Sequence, residues 1–113
     1  MITHQAVRYL ELMGFKILDR NWSCPAGEAD IVAKDGEELV FVTVKTRTDI
    51  MRGFPDDEAS PQVRSRNEKV AAYYLSECRD VDYPVRFDVV PLLVVSEDRA
   101  FVRHYKNALG SFN

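Results

Sequence analysis

Apolar residues in the first part of the chain recur with helical spacing. Ala6, Val7, Leu10 and Met13 fall at i, i+1, i+4 and i+7, which predicts a helix over about residues 4–13. Thr3 is placed to cap its start and Gly14 to end it. Phe15 to Leu18 alternates weakly and enters a sheet, and Asn21 to Gly27 reads as a connection. The alternation then becomes strong. Glu28 to Ala33 and Glu38 to Thr46 are two strands joined at Lys34–Glu37, where Asp35-Gly36 is the expected two-residue type I′ turn. Residues 47–64 hold Gly53, Pro55 and Pro61 among many charges without a sustained period, the pattern of a long loop or lid. Helical spacing returns with Val70, Ala71, Tyr74, Leu75 and Cys78, predicting a helix from about Arg66 to Cys78. Val85 to Val95 is a Val- and Leu-rich strand in which Pro91 implies a bulge or an edge, and Ala100 to His104 adds a short strand. This order predicts an α/β fold, one domain over residues 1–113 with a mixed central β-sheet flanked by helices.

The hairpin carries the candidate chemistry. With Asp35-Gly36 as the turn, Lys34 pairs with Glu37, Asp30 with Phe41 and Glu28 with Thr43. Side chains alternate along a strand, so Glu28, Asp30, Leu39, Phe41, Thr43 and Lys45 share one face, while Ala29, Ile31, Val40, Val42 and Val44 share the other. The second face is core. The first has an apolar floor and a polar end of Glu28, Asp30, Thr43 and Lys45, the arrangement of a site at the border of a core. Two carboxylates can hold magnesium or manganese, which polarises a phosphate, and a lysine can orient water or stabilise developing charge. The same residues also suit a solvated strand face with a cross-strand ion pair.

Composition narrows the setting. The 113 residues are 46% hydrophobic, enough for one core, and carry a net charge of −3. A sequence pI near 5.3 excludes a protein that coats nucleic acid through overall positive charge, so such binding needs a local patch. Arg47, Arg52, Arg64, Arg66 and Lys69 are the candidates for one, although Asp49, Asp56, Asp57, Glu58 and Glu68 are interspersed. A signal-peptide pattern and an apolar run of spanning length are both missing, so the expected location is cytoplasmic, with no membrane partner. Cys24 and Cys78 fit no paired ligand spacing and read as isolated thiols. His4 and His104 read as surface histidines. Trp22 and Tyr73 read as core or core-edge aromatics, with base stacking as the alternative. Asp88 is read either as a partner of Lys45 or an arginine behind the site, or as half of a structural salt bridge.

Four segments, YLELMGFKILDRNW, GEADIVAKDGEELVFVTVKTR, FPDDEA and RFDVV, together resemble the YraN-type family of small bacterial proteins. That resemblance implies a restriction-endonuclease-like fold with a PD-(D/E)XK arrangement of site residues. Family members read GEIDLIA and FVEVKTR on the two strands, which places the family's acids on Glu28 and Asp30, as metal ligands, and its lysine on Lys45. The second-strand glutamate falls on Thr43, and a helix-one glutamate falls near Thr3. A threonine hydroxyl is at best a neutral ligand, so the resemblance implies a weakened site for magnesium or manganese, with Glu28 across the ladder as a substitute carboxylate. Three functions remain open: a DNA-binding protein with a degenerate metal site, acting on branched or damaged DNA; an active magnesium-dependent, structure-selective endonuclease; or a protein-interaction module. DNA and a second copy of the chain are the partners these readings allow. A residue used for chemistry at a cleft is not selected for folding energy, so Asp30→Ala is expected to leave stability nearly intact.

Overall fold

The computed structural model describes residues 2–49, 51, 61–77 and 83–108, with only the backbone of residues 2, 3 and 61–63. Helix α1 spans Ile2–Leu12, strands β1 Lys16–Cys24, β2 Gly27–Asp35 and β3 Glu38–Arg47, helix α2 Pro61–Glu77, and strands β4 Val85–Ser96 and β5 Arg99–Val102. The five strands form one mixed sheet in the order β1-β2-β3-β4-β5. Only β3 and β4 are parallel, and α2 lies on the crossover between them. The α/β class and the mixed sheet between helices are as the sequence predicts, and consistent with a nuclease-like fold. The FPDDEA segment, Arg52 and Cys78 lie outside the described residues, as does the side chain of Thr3.

Each face of the sheet buries its own apolar cluster. On one, Ala6, Val7 and Leu10 of α1 pack on Ile31, Ala33, Val40, Val42, Val90 and Leu92. On the other, Val70, Ala71 and Tyr74 of α2 pack on Val32, Leu39, Phe41 and Phe87. Helix α1 ends as its sequence predicts: Gly14 takes φ +93°, its amide donates to Glu11 O, and the Phe15 amide donates to Leu10 O at 2.9 Å. That is the Schellman pattern, and it turns Phe15 into the core beside Leu10. Met13, expected on the buried stripe, is 58% exposed because this turn carries it past the edge of the apolar face.

Several boundaries differ from those expected. Strand β1 continues through Asn21–Cys24, because a tight Pro25-Ala26 turn returns the chain at once and Cys24 pairs with Gly27. Pro25 sets the φ that such a turn needs. Helix α2 begins at Pro61, where a missing N–H costs nothing in a first helical turn, so the expected loop is shorter at that end. Pro91 is buried in an interior strand, not on an edge. It is tolerated because its nitrogen falls between the Leu92–Val102 and Val89–Tyr105 pairings of β4, where the Arg103 amide donates to Pro91 O.

The β2–β3 turn is Gly36-Glu37, and Asp35 pairs with Glu38. Gly36 has φ +61° while Glu37 stays at negative φ, which is the type II′ turn and not type I′. The register therefore sits two residues from the expected one: Phe41 faces Val32, not Asp30. A shift of two preserves the parity of the strand, so β3 keeps the predicted division into Val40, Val42 and Val44 on one face and Phe41 on the other.

Asp88 is 1% exposed and holds several of these parts together. Arg86 donates to it twice, Nε to Oδ1 at 2.8 Å and Nη2 to Oδ2 at 2.9 Å. The Asn107 amide donates to Oδ1 at 2.9 Å, and His104 Nε2 lies 2.7 Å from Oδ2. With its proton on Nε2, His104 donates to Asp88 and leaves Nδ1 to accept from the Tyr9 hydroxyl at 3.2 Å. His104 is thus no surface residue: its side chain is 7% exposed, while His4 is exposed as expected. Arg86 Nη1 also reaches Asp35 and Glu38, each at 3.0 Å. Asp88 shares the α1 side with Val90 and Leu92, whereas Lys45 alternates with Phe41 toward α2, so Asp88 does not orient Lys45. It is the structural ion pair.

Burial by itself would raise the Asp88 pKa, but the hydrogen bonds from His104, Arg86 and the Asn107 amide, with the Arg86 charge, hold it below the usual carboxylate range. Its folded pKa is depressed, so its contribution is fully present above the unfolded value of about 3.9 and is lost as pH falls through the folded value. Asp88→Asn is expected to cost about 3–5 kcal/mol at neutral pH, since it leaves a buried arginine short of its partner. In urea melts as a function of pH, the gap between wild type and variant should be constant above about pH 4 and narrow below it.

Candidate functional site

Asp30 sits at a fault in the sheet. The β1–β2 ladder pairs Arg20 with Ile31 and resumes at Trp22 with Ala29, passing over Asn21 and Asp30. Asn21 has φ +48°, a left-handed conformation that asparagine tolerates and that breaks strand alternation. As a result Ala29 packs with the α2 cluster and Ile31 with the α1 cluster, although the two are expected on one face. On the other side, the β2–β3 ladder ends at Ile31–Val42. There the Asp30 side chain replaces the ladder: its Oδ2 accepts the Val44 amide at 2.8 Å. The carboxylate is therefore seated on the backbone between Thr43 and Lys45.

Thr43, Lys45 and Arg47 follow Phe41 at alternate positions of β3, all on the α2 side and all partly buried. Glu28 is exposed and pairs across β1 with Ser23. Continuing the observed β2–β3 register would set Thr43 against Asp30 and Lys45 against Glu28, not Thr43 against Glu28 as expected. The carboxylate across from Thr43 is thus Asp30, already bound to Val44, and not Glu28, the substitute expected. Among the described residues, no three His, Cys, Asp or Glu side chains gather closely enough to hold a metal ion. The described residues alone do not make up the ligand set of a resident divalent cation.

Helix α2 closes over the same end. Gly27 has φ +146°, and a Cβ there would stand 3.3 Å from both Cγ and Cδ of Arg66 and 3.4 Å from a Val70 methyl. Arg66 therefore lays its aliphatic stem across the residue next to Glu28. Lys69 is exposed one turn further on. Arg64 is paired with Glu68 at 3.1 Å, both well exposed, so its charge is partly offset before any phosphate arrives. Of the five basic residues, Arg47 shares the α2 side of β3 with Thr43 and Lys45, Arg66 lies over Gly27, Lys69 continues from Arg66, Arg64 has an acidic partner, and Arg52 is outside the described residues. The part played by Gly27 was not foreseen; its signal is a glycine directly before an acidic strand start.

A family model described as the uncharacterised protein family UPF0102 matches residues 4–92, from α1 to the middle of β4. The chain belongs to UPF0102. It is similar to a UPF0102 protein of Geobacter sulfurreducens, 40% identical over 103 residues that cover 91% of this chain and 80% of that one. A UPF0102 protein of Beutenbergia cavernae is 42% identical over 101 residues, 89% of this chain and 86% of its own. One of Lachnoclostridium phytofermentans is 41% identical over 108 residues, 95% and 90% of the two chains. The YraN-type resemblance is therefore correct, and the UPF0102 match spans Gly27, Asp30, Thr43, Lys45 and Arg66. No described helix is long and apolar enough to cross a membrane.

The Val44 hydrogen bond revises one expectation. Asp30→Ala removes the acceptor of an inner-strand amide and is expected to cost about 1–3 kcal/mol, while Asp30→Asn, which keeps an oxygen there, should cost less. Equal melting temperatures for wild type and Asp30→Ala would show that the amide finds another acceptor. Gly27→Ala should cost about 1–3 kcal/mol through its φ, with Arg66 displaced.

Proposed function

We propose that this UPF0102 chain binds DNA through the polar end of β2, β3 and α2, and that its metal site is degenerate at Thr43. The observation that carries this reading is the seating of the Asp30 carboxylate on the Val44 amide, between Thr43 and Lys45. Among the described residues, Lys45, Arg47 and Arg66 accompany Glu28 and Asp30 at this end of the sheet. A glutamate at position 43 would add a third carboxylate there, and a phosphate would then need a metal to offset the repulsion. With threonine there, the side chains themselves favour an anion, and the hydroxyl offers it a donor.

In this reading Lys45 and Arg66 contact phosphate, Thr43 hydrogen-bonds to it, and Asp30 positions the β3 backbone from which Thr43 and Lys45 project. Arg47 lies further along the same strand. Phosphate contacts fix position without reading sequence, so selectivity comes from the shape of the substrate, with branched or damaged DNA as the fitting class. The acidic pI keeps binding local and sensitive to salt.

Fluorescence anisotropy with branched and linear DNA over a range of salt tests this. Lys45→Ala and Arg66→Ala should each weaken binding across sequences and lower the slope of log affinity against log salt by about 1. No binding at low salt would leave the protein-interaction reading in its place. Thr43→Glu probes the degenerate site. Without metal it crowds a third carboxylate beside Asp30 and should lower the melting temperature in chelator, and manganese should restore it. A wild-type protein that is itself strongly stabilised by manganese would end the degenerate-site reading.

A further inference from the structure

Adjacent tyrosines on α2 have opposite fates. Tyr74 is 7% exposed, packs edge-on against Trp22 and Phe41, and donates to Asp19 at 2.6 Å. Tyr73 is 45% exposed. Its ring does not serve the core, so the core-edge reading holds for Trp22, which packs on the α2 cluster, and fails for Tyr73. With Lys69, Ala72 and Ser76, Tyr73 lines a shallow open depression of about 290 Å³. That is at the lower limit of ligand pockets, roughly 300 Å³, and is suited to one flat group lying on a ring more than to an enclosed small molecule.

The place of this depression matters more than its size. Arg66, Lys69 and Tyr73 are spaced i, i+3 and i+7, which is one stripe along a helix. The stripe starts where the Arg66 stem crosses Gly27, beside Glu28, and runs along the exposed flank of α2 to the Tyr73 ring. Glu77, exposed one turn later, puts a carboxylate beyond the ring and ends the run of positive charge. Two cations followed by an exposed aromatic face, continuous with the polar end of the sheet, match the parts of a single-strand platform. In such a platform cations track the backbone and a ring stacks a base of any identity.

We propose that this flank of α2 seats an unpaired DNA nucleotide, its base on Tyr73 and its neighbouring phosphates against Lys69 and Arg66. The inference rests on the DNA-binding reading above and names its substrate class: DNA with a single-stranded segment, such as a flap, gap or open junction. A fully paired duplex, whose bases are stacked inside, reaches the cations but not the ring.

The test uses a short oligothymidylate with one fluorescent aminopurine base, whose emission is quenched on stacking, together with a fully paired duplex of similar length. Wild type should quench the probe and prefer the single strand. Tyr73→Phe should behave like wild type. Tyr73→Ala should lose quenching and bind the single strand roughly 5- to 150-fold more weakly, with duplex affinity and melting temperature unchanged because the ring is exposed. Unchanged single-strand affinity in Tyr73→Ala, or equal losses on single strand and duplex, overturns the inference while salt-sensitive binding through Lys45 keeps the wider reading. Failure of wild type to bind either DNA overturns both.

Discussion

A carboxylate with 1% exposure has to be satisfied from every side, because taking it out of water costs several kcal/mol. Asp88 meets that demand with donors from β4 and from the segment that follows β5: both bonds from Arg86, one from His104 and one from the Asn107 amide. The consequences extend to the turn between β2 and β3. Arg86, fixed by Asp88, has one nitrogen left for Asp35 and Glu38, and it reaches both at 3.0 Å. Those two acids flank Gly36-Glu37 and face each other only in the observed register. An ion network on the α1 side thus favours the strand register that, several residues away, sets Asp30 beside Val44. Its value lies more in selecting one alignment than in net stability, the use for which buried ion pairs are best attested.

The sequence reveals the elements and classes of residue through periodicity, and it fails where one residue departs from its period. The faces of β3 were legible despite a misplaced turn, because the error of two residues left alternation intact. The faces of β2 were not, because Asn21 takes φ +48° across from Asp30 and the strand changes sides there. Nothing in the local spacing distinguishes that asparagine from one in a loop. His104 escaped for another reason: its partner, Asp88, is 16 residues away on the neighbouring strand, and the contact exists only once β4 and the segment after β5 lie side by side. Tyr73 and Tyr74 mark where helical spacing stops being informative. Helical spacing with Val70 picks out Tyr74 as the buried one, but the exposure of its neighbour needs the sheet to be in place.

Asp30 joins the fold to the candidate site, and this bears on what a threonine at position 43 means. An acid that only ligated metal would lose its purpose along with the other carboxylates. Asp30 has another: it caps an amide that the ladder has abandoned, and so holds β3 in place where Thr43 and Lys45 project. Keeping the acid while position 43 is neutral is therefore compatible with a site that no longer needs a cation. The local charge changes in the same direction. Each carboxylate removed from a phosphate-facing surface lowers the repulsion a metal must offset, and beyond a certain point the lysine and arginines are sufficient alone. In the proposed DNA-binding reading, this end of the sheet is on the far side of that point. Binding of that kind is sequence-independent and screened by salt, so discrimination must come from elsewhere on the surface. In the proposed reading the exposed Tyr73 ring on α2, beside Lys69, supplies it.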